Sequence, residues 1–195
     1  GFGNRKKITI TNNGQTTNKI AIYNIANQLT QFDDETITYD TNGNRVIDGQ
    51  YIYEWNNADE LISVTNIGES TPLVTYQYDE SGRRIQKNAN EVVTNYHYNG
   101  DSINVLYETD EKNNVIRSYT YSENGQLLSM KKGVQTFFYH YNAHGDVIAL
   151  TNRNSEIVAT YKYDAWGNVL EFDETDQVKD NPYRYAGYLY DKETG

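Results

Sequence analysis

The chain has 195 residues, no cysteine, and a net charge of −10 from 17 basic and 27 acidic side chains. This length suffices for one domain with a core, while the acidic balance argues against nucleic acid as a partner. The lack of cysteine excludes disulfides and cysteine-based metal sites, and no window has the length and apolar character of a membrane-spanning helix.

The first 20 residues predict an incomplete repeat, a strand and a turn. Residues 1–4, Gly-Phe-Gly-Asn, have the form of the end of a turn whose first residue is missing, so we expect a segment of a longer chain. Residues 8–11, Ile-Thr-Ile-Thr, favour a β-strand, and residues 12–14, Asn-Asn-Gly, predict a turn. Residues 20–47 then predict two hairpins.

One repeated unit accounts for most of the chain, and residues 161–170 show it best. Tyr161 and Tyr163 share one face of an extended chain. Asp164 suits the first position of a type I turn, where its carboxylate accepts hydrogen bonds from nearby backbone N–H groups. Gly167 suits the position at which the chain needs a positive φ to turn back. The unit is therefore predicted to be a β-hairpin.

Copies of the unit recur at a short, irregular period, which is typical of a repeat architecture. The predicted turn residues are Asp40, Gly43, Asp79, Gly82, Gly125, Asn142, Gly145, Asp164 and Gly167. The predicted repeat aromatics are Tyr76, Tyr78, Tyr119, Tyr121, Tyr139, Tyr141, Tyr161 and Tyr163. Weaker copies place Asn27, Asp59, Asn113 or Ser155 where the glycine stands, and asparagine and aspartate best tolerate left-handed φ among the other residues.

Tyrosine supplies much of the apolar side-chain surface of this chain. Eight Tyr-x-Tyr pairs contain sixteen of the 19 tyrosines. Because tyrosine buries a large ring and keeps a polar hydroxyl, a tyrosine-faced sheet packs without being strongly apolar. We expect cross-strand packing of these rings on one inward face. The alternative is an aromatic platform that binds sugars or another chain.

The rest of the chain also favours strands and loops. Residues 51–67 and 73–100 predict further hairpins, and Asn99-Gly100 predicts a tight turn. Residues 171–182 are acidic and are expected to form a loop. No stretch has the periodicity of an amphipathic helix, and the chain has only 2 prolines, so long strands are allowed throughout. The predicted fold class is all-β.

The repeated Tyr-x-Tyr-Asp-x-x-Gly unit, followed by Asn-Val-Leu at residues 168–170, resembles the YD repeats of the Rhs family. The closing residues 181–187 and 190–195 are similar to the start of that family's core-associated signature. The matching signature residues are Pro182, Arg184, Tyr185, Gly187, Tyr190, Asp191 and Gly195. The family includes bacterial Rhs toxins, wall-associated proteins of bacilli, C components of Tc toxins and animal teneurins. The resemblance covers essentially the whole chain.

The resemblance implies an antiparallel β strip that spirals into a hollow shell. Residues 1–180 would be the YD-repeat strip and residues 181–195 the truncated start of the signature, with no separate second domain. In bacterial members the shell encloses a C-terminal toxic domain, and a self-cleaving aspartyl protease downstream of the signature releases it. A segment this short is expected to form a curved, open sheet whose edge can pair with another copy.

The resemblance also implies partners and a location. The expected partners are the chain's own C-terminal toxin domain and the neighbouring repeats, in a polymorphic toxin or contact-dependent inhibition protein. The expected location is secreted, or associated with the bacterial wall or surface. The protease and the toxic domain would both lie downstream of Gly195.

Other candidate sites have simpler explanations. His140 and His144 lie four residues apart, which suits a metal on a helix but here falls across a turn. Residues 33–35 and 173–176 carry carboxylates, but neither stretch fits a calcium-binding loop. The regular placement of Asp40, Asp79 and Asp164 before turns indicates backbone caps rather than catalytic carboxylates. We therefore predict no catalytic residue, no metal and no cofactor.

Three hypotheses of function remain. The first is a non-enzymatic shell segment that walls off a toxin, with its tyrosine face inward. The second is an extracellular module that binds glycans or a cell-surface partner. The third assigns activity only to the parent chain, through a downstream toxin such as a nuclease.

Overall fold

The computed structural model describes residues 4–12 and 14–194, which fold into 18 β-strands without an α-helix. The strands are β1 (Lys7–Asn12), β2 (Gln15–Tyr23), β3 (Leu29–Phe32), β4 (Glu35–Thr36), β5 (Thr38–Tyr39), β6 (Arg45–Ile47), β7 (Tyr51–Trp55), β8 (Leu61–Asn66), β9 (Val74–Tyr78), β10 (Arg84–Ala89), β11 (Val92–Tyr98), β12 (Val105–Thr109), β13 (Val115–Tyr121), β14 (Leu127–Lys132), β15 (Gln135–Tyr141), β16 (Val147–Thr151), β17 (Ile157–Tyr163) and β18 (Val169–Glu174). A short 3-10 helix, Tyr185–Gly187, follows them. Across the described ranges, no helix has the length and apolar character needed to cross a bilayer.

The chain divides into two compact units, one up to Tyr76 and the other from Gln77 onward. In the first unit, β1 to β4 form one sheet in chain order, and β5 to β8 pair in chain order with the start of β9. In the second unit, β10 to β18 pair in chain order. Neighbouring strands are antiparallel in both units, so the all-β hairpin prediction is confirmed. The division at residues 180 and 181 and the curvature of the strip stay predictions.

A bulge accompanies the second aromatic residue of the hairpins. In the pairing of β15 with β16, the register shifts between His140 and Tyr141. A turn with a positive φ at its end adds one residue to the returning strand and produces such a bulge. As a result, Val147 is buried and its neighbour Ile148 is exposed. The pair Leu127-Leu128 follows the same pattern, with its first residue buried and its second exposed.

The core of the second unit lies on one face of its sheet. Its members include Tyr119, Met130, Phe137, Tyr139, Leu150 and Tyr161, all buried. Residues 175–194, called the strap, leave the sheet after β18 and cross back over this face. Hydrogen bonds connect the strap to β10, β13, β14, β15 and β17. The strap therefore spans nearly the full width of the unit's sheet.

Candidate functional site

Two backbone hydrogen bonds close each repeat turn: one joins its first and fifth residues, and the other joins its first and fourth residues. In the turn that begins at Asp164, the Asp164 N–H donates to the carbonyl of Asn168 over 3.0 Å, and the Gly167 N–H donates to the carbonyl of Asp164 over 3.2 Å. One carboxylate oxygen of Asp164 accepts the N–H groups of Trp166 and Asn168. The same two backbone bonds close the turns that begin at Asn24, Asp40, Asn56, Asp79, Asp110, Ser122, Asn142 and Asn152.

The fourth residue of these turns has a positive φ throughout. The angle ranges from +60° at Asp59 to +95° at Gly43. Glycine adopts this conformation without a steric penalty, whereas other residues are strained by it. The remaining fourth residues are Asn27, Gly82, Asn113, Gly125, Gly145, Ser155 and Gly167. The structure thus places both the glycines and their sequence-predicted substitutes at the same backbone position.

The fifth residue of the turn complements the first, which the sequence analysis missed. Where the turn begins with aspartate, the fifth side chain donates: Asn168 gives its amide to Asp164 over 2.7 Å. Where the turn begins with asparagine, the fifth side chain accepts: Glu156 takes the amide of Asn152 over 2.6 Å. The other donors are Asn44, Arg83 and Asn114, and the other acceptors are Gln28, Glu60 and Asp146. Reading the fifth position beside the first would have revealed this exchange.

These bonds also set the charge state of the turn aspartates. The backbone N–H of Arg83, together with its side chain, holds the pKa of Asp79 below its usual value. The side-chain amide of Asn114 and its backbone N–H do the same to the pKa of Asp110. An ionised carboxylate is the stronger acceptor. The aspartates are therefore bound as turn caps and are occupied by their own backbone.

The two aromatics of a Tyr-x-Tyr pair have different environments. In the pairs at the ends of β11, β13, β15 and β17, the first tyrosine is buried in the core, as for Tyr119, Tyr139 and Tyr161. The second is half-buried, and its hydroxyl donates to a backbone carbonyl of the preceding hairpin. These bonds run from Tyr98 to Arg84, Tyr121 to Val105, Tyr141 to Leu127 and Tyr163 to Val147, at 2.7 to 2.9 Å. Trp55 bonds the carbonyl of Arg45 in the same way in the first unit. Each hairpin is thus hydrogen-bonded to the one before it.

In the second unit, the turns that follow Tyr-x-Tyr strands share one edge of the sheet, because strand direction alternates along the chain order. This edge, called the tyrosine edge, carries the turns with Gly82, Gly125, Gly145 and Gly167. The turns that contain Asn113 and Ser155 lie at the opposite edge. In this unit, the two weaker copies of the repeat therefore lie at the edge opposite the glycine-containing repeat turns.

The strap is fixed to the tyrosine face by a buried asparagine. Asn181 is 2% exposed, accepts the Tyr139 hydroxyl over 2.7 Å and donates to the Tyr161 hydroxyl over 3.2 Å. The ring of Tyr183 meets Tyr119 edge-on, with 5.2 Å between ring centroids. Burial raises the pKa of Tyr161, so its hydroxyl stays protonated at ordinary pH. The face that the sequence predicts to be inward is therefore covered by the chain's own C-terminal part.

A buried charge cluster joins the strap to β12, β13 and β14. Glu108 is 1% exposed, accepts the Tyr119 hydroxyl over 2.6 Å and pairs with Arg117. Arg117 and Lys132 bind Asp180 of the strap over 2.8 and 2.7 Å. Burial raises the pKa of Asp180, but the hydrogen bonds from Lys132 and Arg117 outweigh it and hold that pKa below its usual value. The two acids are thus compensated by two bases.

Two further ion-pair sites use residues of the predicted signature. Arg184 binds Glu174 over 3.0 Å and lies over the ring of Tyr190, 4.5 Å from its centroid. Asp191 accepts Arg84 over 2.7 Å and Lys87 over 3.0 Å. Glu174, which the sequence analysis grouped with an acidic loop, is therefore an ion-paired residue of the tyrosine face.

The remaining signature residues shape the path of the strap. The carbonyl of Pro182 accepts the N–H of Tyr190 over 2.6 Å, so the strap folds back on itself. Tyr185 packs against Tyr163, with 5.6 Å between ring centroids. Gly187 has a φ of +70°. Gly195 lies outside the described residues.

The histidines and acidic stretches make local contacts. His140 hydrogen-bonds the hydroxyl of Thr151 over 2.9 Å, and His144 pairs with Asp146 over 3.1 Å. Within residues 4–12 and 14–194, no group of three or more histidines, aspartates and glutamates could hold a metal ion. The carboxylates and amides of the site instead bond the backbone and one another. The arrangement suits building a wall from repeats.

Comparison with known proteins gives a family and several relatives. The family model described as Teneurin YD-shell matches residues 3–195. The tRNA nuclease WapA of Bacillus subtilis is 56% identical over 195 residues, and the tRNA3(Ser)-specific nuclease WapA of Bacillus spizizenii is 55% identical over 195 residues. Each match covers 100% of this chain and 8% of the relative, so the chain spans a small part of their length.

Solved structures with a similar fold come from Tc toxins. The crystal structure of TcdB2-TccC3-Cdc42 aligns with 93% of this chain and 11% of that chain, at a TM-score of 0.59 and 14% identity. The Photorhabdus luminescens Tc holotoxin pore aligns with 91% of this chain and 11% of that chain, at a TM-score of 0.57 and 15% identity. Identity this low supports a common fold alone.

Proposed function

Because this chain belongs to the teneurin YD-shell family, we propose that it forms part of the wall of a shell that encloses a C-terminal toxic domain of the same polypeptide. The family match confirms the resemblance to Rhs-type YD repeats, and the chain is a structural segment rather than a catalytic domain. Two relatives are named tRNA nucleases. We assign a nuclease or other effector activity to a downstream part of the parent protein.

The observation that carries this proposal is the bonding of each hairpin to its predecessor. A wall must resist separation between neighbouring strands. Besides the backbone hydrogen bonds, the tyrosine hydroxyls add a side-chain bond between each pair of neighbouring strands that joins two hairpins. Antiparallel neighbours continue the sheet without a gap from β10 to β18. Such a surface suits a barrier better than it suits a reactive site.

The strap supports the same proposal. Residues 175–194 cover the tyrosine face in the second unit and bind it through Asp180, Asn181, Arg184 and Asp191. An enclosed domain would therefore meet the strap here rather than the bare tyrosine rings. We further propose that the parent protein is secreted or attached to the bacterial wall or surface, where such a toxin would act.

The glycan-binding alternative is less well supported on the tyrosine face. A sugar platform needs accessible rings and free hydroxyls. In the pairs of β11, β13, β15 and β17, the first ring is buried and the second hydroxyl is bonded to a carbonyl, as for Tyr141 and Leu127. The rings act as packing and cross-links. The shell is the better explanation of their arrangement.

Limited proteolysis of a longer chain tests the shell. This segment would be expressed with its natural upstream repeats and downstream chain, digested lightly, and the products weighed. We expect the downstream piece to survive intact, while the same piece expressed alone is digested. Equal rates of cleavage in both settings would show that the repeats do not enclose it.

A further inference from the structure

A cleft lies between the strap and the tyrosine edge of the second unit. Its volume is about 610 Å³, within the range of ordinary ligand sites. Its lining side chains include three tyrosines of the repeat, Tyr98, Tyr121 and Tyr141, and the amides of Asn104, Asn124 and Gln126. No lining residue is charged, although 23% of the chain is Asp, Glu, Lys or Arg. The cleft is therefore suited to an uncharged ligand.

The three tyrosines form a ladder of fixed rings. They stand at equivalent positions on β11, β13 and β15, and each hydroxyl is held by a backbone carbonyl. Every second strand of a sheet repeats at about 9.6 Å, since neighbouring strands are about 4.8 Å apart. Arg83 lies over the ring of Tyr98, 4.9 Å from its centroid, so Tyr121 and Tyr141 present the open aromatic surfaces at this spacing. Because their hydroxyls are held, little side-chain entropy remains to be lost on binding.

This spacing matches one backbone conformation in particular. A polyproline II helix has three residues per turn and a rise of 3.1 Å, so every third residue recurs at about 9.3 Å. Proline-rich segments in this conformation bind aromatic-lined grooves, with prolines seated between rings. The backbone carbonyls of such a segment are all unpaired and need donors. The amides of Asn104, Asn124 and Gln126 supply N–H donors in the same cleft.

We propose that this cleft binds a proline-rich segment in the polyproline II conformation. An anionic ligand lacks a cationic partner among the lining residues. A saccharide needs hydrogen bonds to many hydroxyls, whereas the hydroxyls of Tyr98, Tyr121 and Tyr141 already serve backbone carbonyls. The available chemistry is ring surface and amide, which is what proline rings and their carbonyls require.

Two exposed residues at the rim of the cleft can be substituted without disturbing the fold. Tyr188 is 74% exposed and Ile103 is 83% exposed, and both line the cleft. Because so much of each side chain is in solvent, truncation to alanine should leave the fold intact. Val134, 90% exposed in the loop between β14 and β15 at the opposite edge, is a matched apolar control.

The experiment is a calorimetric titration of this chain with a blocked decaproline peptide. We expect saturable binding, weakened about tenfold or more by Tyr188→Ala or by Ile103→Ala and unchanged by Val134→Ala. A blocked peptide of alternating glycine and serine and the saccharide chitohexaose are run in parallel and should not bind. No binding of decaproline, equal binding by all three variants, or binding of chitohexaose in place of decaproline would each overturn the proposal.

Discussion

The hydroxyl of Tyr163 donates a 2.9 Å hydrogen bond to the carbonyl oxygen of Val147 in the preceding hairpin. The bond joins residues sixteen positions apart, at the start of β16 and the end of β17, which are neighbouring strands of the sheet. It is one of a series of equivalent bonds, each of which stabilises the contact between two hairpins. We expect removal of one bond to lower the stability of the unit.

Tyr163→Phe is expected to lower the free energy of unfolding by about 0.5–1.5 kcal/mol, because a half-buried carbonyl loses its side-chain partner. Urea denaturation followed by tyrosine fluorescence measures the change. Tyr188→Phe is the control, since that side chain is largely exposed. Equal midpoints for Tyr163→Phe and the unsubstituted chain would contradict the role of the bond.

Gly167→Ala is expected to destabilise more than Gly145→Ala. Both glycines stand fourth in their turns, with φ of +91° and +93°, so the backbone strain is the same, about 1–2 kcal/mol. A Cβ at Gly167 would lie 2.8 Å from Cδ1 of Tyr185, whereas a Cβ at Gly145 meets nothing within 4 Å. Thermal unfolding of both variants isolates the packing of Tyr185. Equal losses of stability in the two variants would mean that Tyr185 of the strap moves aside without destabilising the chain.

Asn152→Asp is expected to destabilise the turn by up to about 1 kcal/mol, because it places a carboxylate against Glu156 where an amide donated before. Adding Glu156→Asn should restore stability, since it recreates the Asp-to-Asn arrangement of Asp164 and Asn168. A double-mutant cycle in low salt measures the coupling. Additive effects of the two changes would refute the complementarity of first and fifth residues.

Arg117→Met is expected to cost about 3–5 kcal/mol, because it leaves the buried carboxylate of Glu108 without its cationic partner. Combining it with Glu108→Gln should recover much of that loss, since the buried charge is then removed as well. Urea denaturation of the single and double variants compares the two. A double variant as unstable as Arg117→Met would contradict the ion-pair explanation.

Acid is expected to loosen the strap. The pKa values of Asp180 and Asp191 are lower in the folded chain than the usual value, so the unfolded chain binds protons first as the pH falls. Their contribution is complete above the usual aspartate pKa of about 3.9 and is lost as the pH falls through the folded-state pKa. Melting temperatures from pH 6 to pH 2.5 should fall less steeply for Asp180→Asn. Asp176→Asn, at a side chain 95% exposed, is the control and should follow the original curve.

The hairpins could be predicted from sequence because their causes are local. Strand alternation, a capping residue and a residue that tolerates positive φ all lie within seven positions, as from Tyr161 to Gly167. The same locality explains why Asn27 and Ser155 were found as substitutes for glycine. The exchange between first and fifth residues was equally local and was missed because the fifth position varies among asparagine, arginine, glutamine, glutamate and aspartate.

The strap could not be predicted from periodicity, because its partners lie far away in the chain. Arg84 and Asp191 are 107 residues apart, and Arg117 and Asp180 are 63 apart. Glu108 stands in an ordinary strand sequence, and only the arrival of Arg117 and Tyr119 from the next strand makes its burial tolerable. The signature residues were identified by resemblance alone, and their contacts follow from the path of the chain over the sheet.

The tyrosine bonds of the second unit have a direction along the polypeptide. In the bonds of Tyr98, Tyr121, Tyr141 and Tyr163, the acceptor carbonyl lies 14 to 16 residues before the donor. Because synthesis starts at the N-terminus, each acceptor carbonyl has already been made when the tyrosine that bonds it is added. Growth can proceed one hairpin at a time, with nearest-neighbour stabilisation and no wait for distant partners. The strap, synthesised after these strands, then fastens strands that are already in register.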